Sequence, residues 1–504
     1  MSINKNPIAI TVLAALLMGV LSGCVVSRDP ITGEKKRYGY SWAEEVAIGQ
    51  EADGQIITQY GMYEDAALTA YVDSLGQALV SVSHLRRPGA EHEWLDTEFH
   101  FRILDSPVVN AFALPGGYIY VTRGLLAYVD NEAQLAVILG HEIGHVAARH
   151  TSQQAKNQIL GQAVLIVGAV GGQLLIGGRT AQTVLNYGGI GTQLLFLSYS
   201  RDHETQSDEL GVEYASFAGY DASEGAGFFE SLKRLNDQSG RDVPPFLLTH
   251  PDPGQREIHI KENARIYADP EHPMRINRTW YLSQIDEIVF GENPRQGYVY
   301  EDRFVHPDLA FHFDVPAGFS VTNQPSQLIL LSEDGLAAAR LMIDQENATA
   351  EAAASVFKRR QGMTVIDSGV AVAGLLRIHF IVADTQVEGS EGIRFRIHFF
   401  EFGGEVYSFL GFTERADFAG YDIILRPMMD SFRALTDYSL LNVAAERLMI
   451  QRAPGGSEFM SLTTASTSRS LSAEGLAILN QLNTTDTVPQ GRLYKLLSTG
   501  DAVR

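Results

Sequence analysis

Apolar residues recur at helical spacing in two stretches of the first half of the chain. From Asn131 to His150, Leu135, Ile138, Leu139 and Val146 form one stripe, with Asp130 or Asn131 placed to cap the helix. Residues 41–83 repeat the pattern with Leu68, Tyr71, Val72, Leu75 and Leu79 and are predicted helical. Between these stretches Phe99, Phe101 and Ile103 alternate as in a strand, and Gly116-Gly117 opens a second strand from Tyr118 to Thr122. Beyond about residue 295 the character changes. Strand patterns occupy residues 309–315, 328–331, 339–343, 375–382, 393–402 and 405–412, the last two joined across Gly403-Gly404 as a hairpin. Helical patterns at 350–360 and 416–432 accompany them. The chain is therefore predicted to be α+β: a mainly helical domain with a small sheet over residues 24–295, a separate α+β domain over 296–440, and a small module over 445–504.

The first helix carries the candidate chemistry. His141 and His145 are four residues apart, so on a helix they share a face and can grip one ion, and Glu142 points at the same space. In H-E-x-x-H the imidazoles hold zinc, and the glutamate accepts a proton from a metal-activated water. A third protein ligand is needed. The pattern with a histidine ten residues after the first does not apply, because Thr151 stands there and His150 is one place short. Downstream, Glu204 and Asp208 share a face of a probable second helix. Glu204 is the candidate ligand, and Asp208 is the candidate acceptor for the outer N–H of a zinc histidine.

Four stretches now stand in order: Asn110 to Leu126, His141 to His145, Tyr199 to Gly211, and Thr249-His250-Pro251. Together they resemble the glutamate-zincin metallopeptidase family that contains the CAAX prenyl endopeptidases, the HtpX-type membrane proteases and the BepA-like periplasmic proteases. Ser207 stands where that family usually has alanine. The resemblance covers roughly residues 40–265 and implies a zincin-type metalloprotease domain with His141, His145 and Glu204 as ligands of one Zn²⁺. It further implies that His250 can reach the zinc and act as a fourth ligand or regulatory switch. The alternative role for His250 is to assist catalysis by hydrogen bonding. The BepA-like branch carries tetratricopeptide repeats, but no helical 34-residue period follows here. The strand at Gly117, Tyr118, Ile119 and Tyr120 is expected to edge the cleft and to pair with an extended substrate.

Targeting is read from the opening residues. Lys5, an apolar run from Ile8 to Leu21 and Leu21-Ser22-Gly23-Cys24 look like a lipoprotein signal peptide over residues 1–23, with Cys24 lipidated. Cys24 is the only cysteine, which excludes intrachain disulfides and other thiol chemistry. Val25 follows it rather than aspartate, favouring the inner leaflet of the outer membrane. The uncharged, Gly-rich run Asn157 to Gly178 is expected to cover the cleft, a membrane span being the alternative. A net charge of −21 argues against a nucleic-acid partner. His379 and His398 lie on strand patterns and are read as packed. The tail from Leu448 to Leu497 weakly resembles a LysM-type module, which makes peptidoglycan or a protein its candidate partner. These readings add up to a periplasm-facing zinc endopeptidase acting on misfolded or stalled envelope proteins. The alternative is a chaperone or scaffold for outer-membrane protein assembly in which proteolysis is secondary.

Overall fold

Ser41 and Glu44 cap the first long helix reciprocally, each side chain meeting the other's backbone N–H. A computed structural model describes residues 25–156, 199–239, 245–250, 253–268, 271, 273–386, 392–467 and 470–499. The signal segment, Cys24, the run from Asn157 to Gly178, Pro251 and Asp252 lie outside the described residues. Among the described residues no helix is long and apolar enough to cross a membrane.

The predicted helix over 41–83 is in fact two, α1 (Trp42–Tyr60) and α2 (Ala66–Val82). Gly61, at φ +69°, ends the first and turns the chain so that Met62 bridges Leu104 at the rim of a sheet. Asp65 then caps α2, which buries Leu68, Val72, Leu75 and Leu79. The sheet has strands β1 (His100–Leu104), β2 (Ala111–Leu114) and β3 (Tyr118–Thr122) in the order β1-β3-β2. β3 runs parallel to β1 and antiparallel to β2.

That order corrects the expected substrate strand. Tyr118, Ile119 and Tyr120 belong to the central strand, whose two edges are already paired, Gly117 lies in the turn just ahead of it, and all four are buried. The edges are β1 and β2, and β2, the edge that reaches the space beside His145, supplies only four residues and lacks an alternating pattern long enough to be read.

After α3 (Arg123–Tyr128) the chain enters α4 (Glu132–Ala147), capped by the Asn131 side chain on the Gln134 N–H. Every residue of α4 is buried. Against it lies α5 (Arg201–Phe217), followed by α6 (Gly225–Ser239), α7 (Pro245–Thr249) and α8 (Pro253–Tyr267). A Cβ on Gly140 would stand 2.9 Å from the Gly211 carbonyl oxygen, and one on Gly211 would stand 2.8 Å from the His141 nitrogen. These two glycines let α4 and α5 touch backbone to backbone, which carries the preceding turns of α5 over the histidine face of α4.

The second domain is built on a seven-stranded antiparallel sheet of β4 (Phe319–Gln324), β5 (Gln327–Ser332), β6 (Ala337–Ile343), β7 (Met363–Ala373), β8 (Leu376–Thr385), β9 (Ile393–Phe402) and β10 (Glu405–Glu414). Their order is β7-β8-β9-β10-β6-β5-β4. Phe402 pairs with Glu405 across the Gly403-Gly404 turn, the predicted hairpin. One face is covered by α9 (Ala350–Phe357), through Ala350, Ala353 and Ala354. The other meets α10 (Phe418–Asp430) and a smaller four-stranded sheet, through Leu425, Met428, Phe304 and Phe313.

The tail returns to the first domain. Strands Glu446–Arg452 and Leu493–Thr499 pair antiparallel, and α11 (Ala473–Leu479) lies between them in sequence. Leu448, Leu476, Ile478, Leu479, Leu496 and Leu497 belong to the same apolar cluster as Leu135, Ile138 and Leu139 of α4. Lys495 reaches the end of α3 with no exposure, its ammonium donating to the carbonyls of Ala127, Val129 and Leu479.

Candidate metal centre

His141, His145, Glu204 and His250 each offer one ligand atom, and these atoms all lie within 4.8 Å of one another. α4 brings His141 and His145 to one face, their Nε2 atoms 2.9 Å apart. α5 brings Glu204, whose carboxylate oxygens lie 3.5 Å from each of those nitrogens. His250 follows α7, where its N–H is fixed by the Phe246 carbonyl at 2.8 Å. Its Nδ1 stands 3.2 Å from His141 Nε2 and 3.0 Å from Glu204 Oε2. Nitrogen and carboxylate donors converging at these separations fit a zinc-type ion. Glu142 is 1% exposed, and its Oε1 has no hydrogen-bond partner among the described residues, with His250 Nε2 at 3.6 Å. Burial raises the Glu142 pKa above the usual carboxylate range, opposed by the neighbouring His250 and His141.

The surrounding shell orients the ligands. Asp208 accepts from His141 Nδ1 at 2.9 Å and takes a forked bond from Arg256 at 2.6 and 2.8 Å. Burial alone would raise the Asp208 pKa, but Arg256 and His141 outweigh it and hold the group at about 2. Arg256 also lies 3.2 Å from Glu204 and stacks over Phe229 at 4.3 Å, so one guanidinium steadies both carboxylates. Burial likewise acts to raise Glu204, yet His250 and Arg256 bring its pKa below the usual range. The Tyr199 ring stacks on His145 at 4.1 Å.

His145 has its own outer partner. His150 Nδ1 lies 3.0 Å from His145 Nδ1, and His150 Nε2 donates to Gln206 Oε1 at 3.0 Å. With its Nε2 proton committed to Gln206, His150 accepts at Nδ1, so His145 carries its proton on Nδ1 and keeps Nε2 free for the ion. Burial, reinforced by His203, pushes the His150 pKa down to about 3 and keeps it neutral. A His150→Ala protein is expected to bind zinc about 10- to 100-fold more weakly, read by competition with a chelator. Undiminished affinity would show that His145 needs no such partner.

All four ligand candidates, Glu142 and Asp208 thus meet at one point, whereas Tyr118 to Tyr120 lie in a buried central strand with Gly117 in the turn before it. Cys24 lies outside the described residues. Arg256, His150, Gln206 and Tyr199 were not singled out from the sequence. Arg256 follows the Thr249-His250-Pro251 stretch closely enough to have been tested as its companion.

The site is closed. His250 is 1% exposed, and the space beside His145, between Ala113, Leu114, Pro115 and Tyr199, holds only about 10 Å³.

Comparison with known proteins bears directly on this arrangement. The beta-barrel assembly-enhancing protease of Escherichia coli (strain K12) is 30% identical over 289 residues, 56% of this chain and 56% of that protein. The mitochondrial metalloendopeptidase OMA1 of Schizosaccharomyces pombe is 27% identical over 236 residues, 46% of this chain and 65% of that protein. The chain spans about half the length of the former and just under two thirds of the latter. Among solved structures, cyanobacterial PsbP from Synechocystis aligns over 26% of this chain and 91% of its own at 12% identity and a TM-score of 0.23, too low to define a fold or a function. The profile of Peptidase family M48 matches residues 67–264. That matched stretch supplies both histidines of α4, the α5 carboxylates and His250, so the likeness to peptidase family M48 rests on the residues of the metal cluster.

Proposed function

We propose that this chain is a zinc-dependent endopeptidase, lipid-anchored through Cys24 and facing the periplasm, that cleaves misfolded or stalled envelope proteins. The observation that carries this reading is the convergence of His141, His145, Glu204 and His250 beside Glu142, whose Oε1 accepts no hydrogen bond among the described residues. The likeness to the Escherichia coli beta-barrel assembly-enhancing protease supports the substrate class.

Zinc held by His141, His145 and Glu204 would supply Lewis acidity to the reaction. Glu142 takes the proton of the attacking water, to which its buried, more basic carboxylate is suited, and passes it to the leaving amine. Asp208 and His150 keep the two imidazoles in their binding tautomers. The edge strand β2, whose Ala113 and Leu114 line the small space beside His145, is the place where an extended chain can add by backbone pairing. The chaperone reading leaves Glu142 without a role.

His250 keeps the resting site closed. It lies within ligand distance of the cluster, and Phe246 stacks on it at 4.6 Å, so moving α7 withdraws the imidazole and the aromatic ring together. A His250→Ala protein is expected to retain zinc on three ligands and to cleave an unfolded β-barrel protein several-fold faster, as estimated from a population shift of about 1 kcal/mol. The test is initial rate and zinc content on one preparation, with chelation and zinc add-back to establish that cleavage depends on the metal. A slower enzyme with full zinc would replace the switch by a role for His250 in stabilising the transition state. Absence of metal-dependent cleavage in both proteins would favour the chaperone reading.

A further inference from the structure

We propose that the second domain carries a separate binding site, formed by Arg340 and Arg360 beside α9, for the C-terminal carboxylate of a polypeptide ending in an apolar side chain. Arg340 stands in the middle of β6, paired in register with Ile329 and Leu410, where a strand buried in a sheet ordinarily places an apolar residue. It is half-buried, and no described residue accepts a hydrogen bond from it or pairs with its charge. A guanidinium has five N–H donors, and those of Arg340 are left to solvent, open to an incoming acceptor. Pairing would be easy to achieve in a chain with 60 acidic residues against 39 basic ones. What stands beside Arg340 instead is a second cation. Burial lowers the Arg340 pKa, and the neighbouring Arg360 lowers it further, an arrangement that an anion between the two would relieve.

The space around the pair defines the rest of the ligand. Both arginines line a cavity of about 450 Å³, large enough for a terminal residue or two, whose wall also includes the half-buried Met342 and Phe357 with the buried Ala353, Ile397 and Phe399 behind them. Arg360 is held over the Phe357 ring at 4.9 Å, which aims it along this wall. Asp344 and Glu346 are also in the lining, but the Asp344 carboxylate is taken up by the Glu346 and Asn347 N–H groups and the Asn347 amide, and neither acid pairs with Arg340 or Arg360. The remaining rim is rich in amides and hydroxyls, including Gln324, Gln327 and Ser408. A peptide backbone can satisfy such groups and a hydrocarbon chain cannot, which favours a polypeptide terminus over a free fatty acid. Binding here is independent of cleavage, and only its use in gathering substrates rests on the proposed peptidase.

The test is calorimetric titration of the full chain carrying Glu142→Gln, so that no ligand is consumed. The ligands are an octapeptide ending in Val-Phe with a free carboxylate, the same peptide as its C-terminal amide, and dodecanoate. The free acid is expected to bind about 10- to 100-fold more tightly than the amide, the contribution of charge-assisted hydrogen bonds, and Arg340→Met should erase the difference. If Arg340→Met fails to fold, Arg360→Gln, at an exposed position, should lower affinity for the acid and leave the amide unchanged. Equal binding of acid and amide, an unaffected variant, no peptide binding, or binding of dodecanoate alone would each overturn the proposal.

Discussion

Glu142→Gln is expected to keep its zinc and to cleave an unfolded β-barrel protein about 10²- to 10⁴-fold more slowly than the parent, the usual contribution of a positioned general base. The substitution nearly preserves shape, and Glu142 accepts no structural hydrogen bond at Oε1 among the described residues that the amide would break. His141, His145 and Glu204 are untouched, and metal content per chain should match the parent. An amide cannot take a proton from water at neutral pH. Undiminished cleavage with full zinc would remove Glu142 from the chemistry and with it the mechanism proposed above.

The second large effect is on stability. Lys495→Met should destabilise the first domain by about 2–5 kcal/mol, because three buried carbonyls lose their donor at once. The effect also has a pH signature. Burial pulls the Lys495 pKa down to about 7, with Asp130 at 4.0 Å opposing. An unfolded lysine titrates near about 10.4. Between these values the unfolded chain binds the extra proton, so this residue's contribution to stability grows as pH rises from about 7 to about 10. Urea unfolding at pH 7 and pH 9.5 should show the gap between parent and variant widening at the higher pH. Identical midpoints would mean that the tail is not stitched to α3 through this residue.

The catalytic helix was legible because its information is local. Four-residue spacing puts His141 and His145 on one face whatever surrounds them, and Glu204 and Asp208 follow the same rule on α5. The contacts made across elements were not legible. His150 is set aside by spacing, one place short of the third-ligand position, whereas the turn after α4, with Arg149 at φ +60°, swings it back onto His145. Arg256 acts through α8, and nothing in its immediate neighbours announces a carboxylate pair on α5. The sequence places a strand at Tyr118 to Thr122 but not its position in the sheet: it reads as a cleft edge and is the centre, because the strand that covers it has four residues, too few to carry a period. In the tail, apolar positions such as Leu479 and Leu496 signalled burial without saying which surface they would cover.

The path of the tail also sets an order of events. Lys495 and Val129 are 366 positions apart, and the reciprocal amide pair of Gln134 and Gln481 joins residues 347 apart. A ribosome must therefore finish the whole second domain before the donor that satisfies the end of α3, just ahead of the histidine helix, exists. Contacts of such long sequence separation form late and slowly. The helix that carries His141 and His145 thus lacks its finished surroundings while the chain is still being made, and it gains them only when the segment that closes the core has arrived.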